Sequence, residues 1–282
     1  MPNIIENNAY RILGLDISSS QKDILKRYKE IINRLKIDDH PNYDVDIKLP
    51  KGYRNESTVS DALKRLQSLK SNLKENFFWF QISDNIDEKA LKYLQDKKIP
   101  DAIQIWKKAS TNNSASYFYK KNLALLYCLL LLEDNNSAYL KDSLSLWYEI
   151  INSEKFWDLF LKKYKDNNEQ TVSSEILLGF KNNAVKYLSD IYTDLYKVHK
   201  DNSYIKDFQK IFGTHGERTE KWLLQPIYQL LYENIEKLQN IKITEDKEVS
   251  EKDLININKI VDSIKIELNI TFRLILCWNV VM

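Results

Sequence analysis

The amino-acid sequence predicts an all-α protein, because of its glycine and proline content and the spacing of its apolar residues. Its 282 residues include only 5 glycines and 5 prolines, which leaves few positions for the tight turns on which sheet folds depend. Along most of the chain, apolar residues recur every three or four positions, which is the period of an amphipathic helix. With 43% hydrophobic residues, a chain of this length is expected to form two or three packed units.

The first region, residues 1–82, predicts a short helix followed by a helical hairpin. The phrase NAYRIL forms the short helix, which ends at Gly14, and serines 18 to 20 offer an N-cap for the next one. From Ser20 to Ile37, apolar and basic residues alternate at helical spacing, so this helix has one apolar face and one basic face. After a long polar loop, one apolar period from Val59 to Phe80 predicts a single long helix.

Three phrases in this region carry a family resemblance. Asn8-Ala9-Tyr10 with Ile12-Leu13-Gly14, the basic helix SQKDILKRYKEI and the phrase DALKRLQS follow one another in that order. In this order they resemble the J domain of DnaJ-type co-chaperones, over about the first 80 residues. The resemblance implies a protein partner, a seventy-kilodalton heat-shock chaperone with an acidic surface. The contact residues that it implies are Lys22, Lys26, Arg27 and Lys29, with the tripeptide His40, Pro41 and Asn42.

The tripeptide departs from the family pattern in both residue type and position. The family has His-Pro-Asp about two helical turns after the tyrosine of the second helix, whereas here His40 lies 12 residues after Tyr28 and Asn42 replaces the aspartate. Two hypotheses stay open: the tripeptide is a working chaperone trigger, or it is an ordinary loop turn at a proline. The spacing favours the loop turn. The basic helix face is likewise either a chaperone contact or a solvated surface.

The second region, residues 83–155, contains an internal repeat. The repeated phrases are ALKY at 90–93 with ALLY at 124–127, and DAIQIWKKA at 101–109 with DSLSLWYEI at 142–150. The first pair is offset by 34 residues, so the region resembles the tetratricopeptide family of helical repeats. The alternative is a generic helical hairpin that happens to be duplicated. In either case we expect Ala90 and Ala124 to allow close helix approach, and Trp106 and Trp147 to fill the space within each helix pair.

A helical array of this kind predicts a concave surface that binds an extended peptide or a helix of another protein. We expect that surface around residues 101–127. There, Lys120, Lys121 and Asn122 would hold an acidic or extended peptide, and Tyr127 would pack beside it. The alternative is that Tyr127 belongs to the core and the lysines are solvated.

The third region, residues 156–282, predicts further C-terminal helices without naming an activity. One of them, Trp222 to Leu238, carries Pro226 in its expected first turn, where proline is tolerated. The polar stretch from Ile241 to Asp253 predicts a solvated connection before the last helix.

Composition argues against several classes of function. A net charge of +2 gives no general excess of positive charge for nucleic acid, so a nucleic-acid binder would need a basic stripe on one face. The histidines at 40, 199 and 215 lack the spacing of a shared metal site, and we expect Cys128 and Cys277 to be buried thiols. The sequence therefore predicts no catalytic, cofactor or metal site.

The apolar runs are shorter than the roughly 20 residues needed to span a bilayer, so we expect no membrane span. The first residues show no basic leader followed by an apolar stretch, which favours a cytoplasmic protein. The leading hypothesis is a non-enzymatic, J-domain-like co-chaperone or assembly adaptor that acts through protein–protein binding. Its alternative is a scaffold subunit that keeps a J-like fold without stimulating a chaperone ATPase.

Overall fold

The computed structural model describes residues 4–43, 46, 53–111, 116–167, 172–213, 217–240 and 251–281. Every regular element in these ranges is an α-helix, so the predicted all-α class is confirmed. The helices are α1 (Ala9–Leu13), α2 (Gln21–Leu35), α3 (Glu56–Gln67), α4 (Leu69–Phe77), α5 (Asn85–Gln95), α6 (Ile99–Ser110), α7 (Ser116–Leu131), α8 (Ser137–Ile151), α9 (Glu154–Asn167), α10 (Ser174–His199), α11 (Ser203–Phe212), α12 (Glu217–Gln239) and α13 (Glu251–Val281). They fall into two compact units, Met1–His199 and Lys200–Met282.

Helices α1 to α4 form the first part of the larger unit, with α1 and α2 both packed against α3. The expected long helix from Val59 to Phe80 is wrong, since the chain is broken at Ser68, whose backbone is extended with φ −85° and ψ 117°. The break is stabilised by Asn72, whose Nδ2 donates a 3.0 Å hydrogen bond to the carbonyl of Leu66 at the end of α3. A terminal helix carbonyl therefore finds a partner in the next helix.

Helices α5 to α8 pack one after another, α5 on α6, α6 on α7 and α7 on α8. Nearly the whole length of α7 is buried, as its continuous apolar run requires. Ala90, Ala124, Trp106 and Trp147 are all fully buried, which confirms that the repeated residues belong to the core. The tetratricopeptide arrangement itself stays a prediction.

A cluster of aromatic rings centred on Phe77, at the end of α4, joins the first helices to the later ones. Phe77 stacks on Trp147 and Trp157, with ring centroids 5.6 Å and 5.5 Å away. Its other ring neighbours, all edge-on, are Phe78, Phe156, Phe160 and Phe180. These residues come from all three predicted regions, so the expected boundaries at 82 and 155 fall within one shared core.

In the smaller unit, α12 packs against both α11 and α13. Pro226 lies in the interior of α12, not in its first turn as expected, because the helix begins at Glu217, well before Trp222. Between α12 and α13, Nδ2 of the buried Asn234 donates to Glu267 at 3.0 Å and to Ser263 at 3.2 Å. The stretch 241–250, most of the predicted polar connection, lies outside the described residues, as does His215.

Candidate functional site

The basic helix α2 is fixed in position by its first turn and by its apolar face. Ser20 and Asp23 form a capping box, in which each side chain accepts the backbone N–H of the other residue at 3.2 Å. These hydrogen bonds from Ser20 lower the pKa of Asp23. Ile24, near the start of α2, and Ile31, two turns later on the same face, are both fully buried. The rotation of α2 about its axis is therefore set by burial, which decides which side chains face solvent.

Lys22, Lys26 and Lys29 form a lysine stripe along the solvent face of α2. Their spacing of four and three residues places the three side chains on one side of the helix, and all three are exposed. None of the three makes an ion pair or a hydrogen bond within the described part of the chain. The lysine stripe therefore presents three positive charges to solvent, two of which, on Lys22 and Lys26, also interact electrostatically with the exposed carboxylate of Asp23.

Arg27, which was expected to act with these lysines, is instead part of the internal packing. Its Nη1 donates to the carbonyl of Gly14 at 3.1 Å, and its Nε lies 3.3 Å from a carboxylate oxygen of Glu30. Its guanidinium also lies 4.2 Å from the centre of the Tyr43 ring. These three contacts hold the partly exposed Arg27 against the chain, which sets it apart from the three lysines, and its predicted role as a contact residue stays a prediction.

The tripeptide does not present its three side chains on one surface. His40 is exposed, with Nε2 3.3 Å from Oδ1 of Asp38, and Asn42 is also exposed. Pro41 is buried, and its carbonyl accepts a 3.1 Å hydrogen bond from Nη1 of Arg54. The expectation of Pro41 as an accessible contact residue is therefore wrong, because the chain uses it to anchor the loop.

Two residues that the sequence analysis missed, Tyr43 and Arg54, hold this loop in place. Arg54 is 4% exposed and donates to the carbonyls of Ile12 at 2.7 Å and Arg11 at 3.0 Å, besides pairing with Asp46. The Tyr43 ring lies 4.8 Å from the Arg54 guanidinium. No periodic signal marks single residues inside a polar loop, so only the tertiary structure identifies them.

The predicted peptide surface on α7 is occupied by the protein's own chain. Lys121, Asn122 and Tyr127 are buried, which corrects the expectation that they bind a partner. Asn122 accepts the backbone N–H of Gln81 at 2.9 Å and donates to the carbonyl of Gln81 at 2.7 Å. Lys121 Nζ donates to the carbonyl of Asn76 at 3.3 Å. These two polar side chains therefore bind the connection between α4 and α5.

The remaining two side chains of that prediction also have internal partners. Lys120 is partly exposed, and its Nζ lies 2.6 Å from Oε2 of Glu149 on α8. Tyr127 stacks on Tyr139 with ring centroids 5.2 Å apart. The alternative interpretation, that Tyr127 belongs to the core, is confirmed.

A buried carboxylate, Asp87 on α5, was not predicted at all. It accepts hydrogen bonds from the backbone N–H of Ser83 at 2.8 Å, from Nε1 of Trp106 at 2.8 Å and from Nδ2 of Asn122 at 2.9 Å. Burial raises the pKa of Asp87, and these hydrogen bonds act in the opposite direction by stabilising the ionised form. Asp87 on α5 thereby links this helix by hydrogen bonds to Trp106 on α6 and to Asn122 on α7.

Other chemistry is sparse in the described residues. They contain no group of three or more histidine, cysteine, aspartate and glutamate side chains with the geometry to hold a metal ion. Cys128 is buried beside Ser143, 3.3 Å from its hydroxyl, and burial raises the thiol pKa. Of the helices described, none is both long enough and apolar enough to span a membrane.

Comparison of the chain with protein-family models, with curated proteins and with solved structures gave no match in any of the three. The function is therefore inferred from the side chains and their arrangement. Among the surfaces described above, the lysine stripe combines exposure, alignment and positive charges that make no ion pair with the described residues.

Proposed function

We propose that this protein is a non-enzymatic binding protein, a J-domain-like co-chaperone or assembly adaptor, which uses the lysine stripe to bind an acidic surface of a protein partner. The observation that supports this most is that Lys22, Lys26 and Lys29 are exposed, aligned and, among the described residues, engaged in no ion pair or hydrogen bond. Because the apolar face of α2 is packed against α3, a partner can bind the stripe without disturbing the fold.

The physical basis of such binding is electrostatic, with an apolar addition. Aligned positive charges attract a complementary acidic surface and raise the association rate. Leu25, 40% exposed, lies beside the stripe and adds an apolar contact. Because the screening length is about 10 Å at 0.1 M salt, we expect affinity to fall steeply as salt is added.

Charge reversal tests the lysine stripe directly. In one variant, Lys22, Lys26 and Lys29 are changed to Glu, and the binding of a purified seventy-kilodalton heat-shock chaperone is measured at low and moderate salt. The control reverses three exposed lysines of α9, changing Lys155, Lys162 and Lys165 to Glu, which alters net charge equally. We expect the stripe variant to bind at least about tenfold more weakly and the control to bind as the unaltered protein does. Equal binding of the two variants would remove the lysine stripe from the proposal.

The second candidate function, a scaffold subunit without ATPase stimulation, is favoured by the burial of Pro41 against Arg54. A trigger held in this way is not free to rearrange against a chaperone. The chaperone's ATP turnover, measured with saturating protein and with its His40→Gln variant, separates the two functions. Turnover that rises and is lost in His40→Gln supports the co-chaperone, and unchanged turnover despite binding at the stripe supports the scaffold.

A further inference from the structure

Lys121 on α7 is a completely buried amine with few partners. Its Nζ makes one hydrogen bond, to the carbonyl of Asn76 at 3.3 Å, and it lies 5.8 Å from the centre of the Phe160 ring. No carboxylate of the described residues is within ion-pair distance of it. A protonated amine has three N–H groups to satisfy, so two of them are left without a partner.

The acidic groups that face Lys121 are engaged with other donors. Asp87 on α5 is occupied by Ser83, Trp106 and Asn122, and Asp16, between α1 and α2, accepts the backbone N–H of Ser18 at 2.8 Å. Of the charged residues on α6 and α8, Lys107 pairs with Asp142, and Glu149 pairs with Lys120. The groups that α4 and α9 present to Lys121 are the Asn76 carbonyl and the Phe160 ring, which are uncharged.

The balance of these effects favours the neutral amine. Burial lowers the pKa of Lys121 to about 7, while the charges of Asp87 and Asp16 act to raise it. Neither carboxylate compensates for the loss of water around the amine.

Lys121 stands where helices α1–α4 are attached to α5–α9. It donates a hydrogen bond to the carbonyl of Asn76, near the end of α4. Its neighbour Asn122 makes two hydrogen bonds with the backbone of Gln81, in the connection to α5. Asn76 in turn donates through Nδ2 to the carbonyl of Ile17, in the turn before α2, at 3.4 Å. A change of charge at Lys121 therefore acts on the segments that orient α1–α4.

We propose that Lys121 is a proton-sensitive joint, at which uptake of a proton by the buried amine loosens the attachment of α1–α4 to α5–α9. The protonated amine requires water for its two unpaired N–H groups, which favours opening of the contact around Asn76. The neutral amine needs no such hydration, so the contact closes. This device regulates how firmly α1–α4 are held and does not depend on the partner proposed for the lysine stripe.

The expected pH dependence follows from the two protonation states. In the unfolded chain the amine has its ordinary pKa of 10.5, so between about pH 7 and 10.5 the unfolded chain binds a proton that the folded one lacks. The folding equilibrium constant therefore increases with pH in that range, by up to about tenfold per pH unit. Below about pH 7 both states hold the proton, and the contribution of Lys121 no longer changes.

The test compares the unaltered protein with Lys121→Met and with Lys108→Met, a control at an exposed lysine of α6. Urea unfolding at pH 6.5, 7.5 and 8.5 should show the folding constant of the unaltered protein and of the control rising severalfold from pH 7.5 to 8.5. Lys121→Met should lack that rise and be more stable than the unaltered protein at pH 6.5. An equal rise in Lys121→Met would overturn the proposal.

Two measurements on the unaltered protein keep the proposal testable if Lys121→Met fails to fold. The ¹³Cε signal of Lys121 should titrate near pH 7, and titration above about pH 9.5 would refute a buried neutral amine. Hydrogen exchange, corrected for intrinsic rates, should show weaker protection of residues 76–81 at pH 6.5 than at pH 8.5. Equal protection at both pH values would leave the amine without any effect on the joint and would overturn the proposed device.

Discussion

The indole N–H of Trp106 donates a 2.8 Å hydrogen bond to Oδ1 of Asp87, in the contact between α5 and α6. Trp147, its counterpart in the second copy of the repeat, is equally buried, yet its N–H has no carboxylate acceptor among the described residues and interacts instead with the thiol of Cys128, a weak acceptor. The repeat itself explains the difference. Asp87 and Lys121 stand at equivalent positions, three residues before the repeated alanines Ala90 and Ala124, so the second copy of the repeat has no carboxylate where the first copy has Asp87.

This asymmetry predicts unequal effects of one substitution at the two tryptophans. Trp106→Phe removes ring area and also the donor to a buried carboxylate, whereas Trp147→Phe removes ring area and a weak interaction with the Cys128 thiol. We expect Trp106→Phe to lower the free energy of unfolding by about 1.5–3 kcal/mol more than Trp147→Phe, since hydrogen bonds to charged groups contribute that much. Urea denaturation of the two variants measures the difference, and equal losses would contradict the assigned role of Asp87.

The sequence predicts the helices well where their signals are local. The start of α2 at Ser20 follows from a cap and an apolar period within a few residues, and the structure has both. The break at Ser68 is different, because the apolar period continues through it from Val59 to Phe80. The hydrogen bond from Asn72 to Leu66 stabilises the break, and the period carries no sign of it.

The candidate site is predicted only in part, for a similar reason. Lysines are usually exposed, and this expectation holds for the lysine stripe but fails for Lys121. The sequence carries one sign of that burial, the continuous apolar run that follows Asn122. Arg27 gave no such sign, because its contacts with Gly14 and Tyr43 come from outside its helix.

Gly14 and Gly179 should respond in opposite directions to the same substitution. Gly14 has a φ of +62°, and a Cβ placed there would overlap the Tyr43 ring, so Gly14→Ala is expected to lower the free energy of unfolding by at least about 1–2 kcal/mol. Gly179 lies within α10 with nothing within 4 Å of such a Cβ. Gly179→Ala should therefore raise the free energy of unfolding by about 0.5–1 kcal/mol. Thermal or urea unfolding measures both, and a neutral Gly14→Ala would show that Tyr43 does not hold the loop as described.

Removing Arg65 should reveal a pH dependence that belongs to Glu75. Burial raises the pKa of Glu75, whereas Arg65 Nη1, 2.5 Å from its Oε1, and the backbone N–H of Ala9 lower it. Arg65→Met leaves this buried carboxylate without its cation, and we expect a loss of about 3–5 kcal/mol at pH 7. Its pKa then rises further above the unfolded value of 4.5.

Between pH 4.5 and that raised value, the folded Arg65→Met variant binds a proton that its unfolded chain does not, so folding is favoured as the pH falls. The loss relative to the unaltered protein should therefore be smaller at pH 5 than at pH 7. Adding Glu75→Gln should recover part of the loss at pH 7, because no buried charge remains. Urea unfolding at both pH values provides the measurement. Equal losses at pH 5 and pH 7 would mean that solvent reaches Glu75 once Arg65 is gone.

The aromatic cluster predicts that the larger unit unfolds as a whole. Phe77 belongs to α4 but touches rings of α8, α9 and α10, so Phe77→Ala opens a cavity shared by helices from both ends of Met1–His199. We expect a loss of about 3–5 kcal/mol in the free energy of unfolding. Leu25→Ala, at an exposed leucine of α2, is the control and should cost less than about 1 kcal/mol.

Tryptophan fluorescence and far-ultraviolet circular dichroism together test this cooperativity, because four of the six tryptophans, Trp147 and Trp157 of the cluster among them, lie in the larger unit, while the helical signal reports on the entire chain. In Phe77→Ala, the fluorescence transition should move to lower urea together with the larger part of the helical signal. The smaller unit, Lys200–Met282, has its own core around α12 and α13 and is expected to contribute the remainder. A helical transition that stays in place while the fluorescence transition moves would show that the helices of the larger unit do not unfold together with the cluster, which would contradict the expected cooperativity.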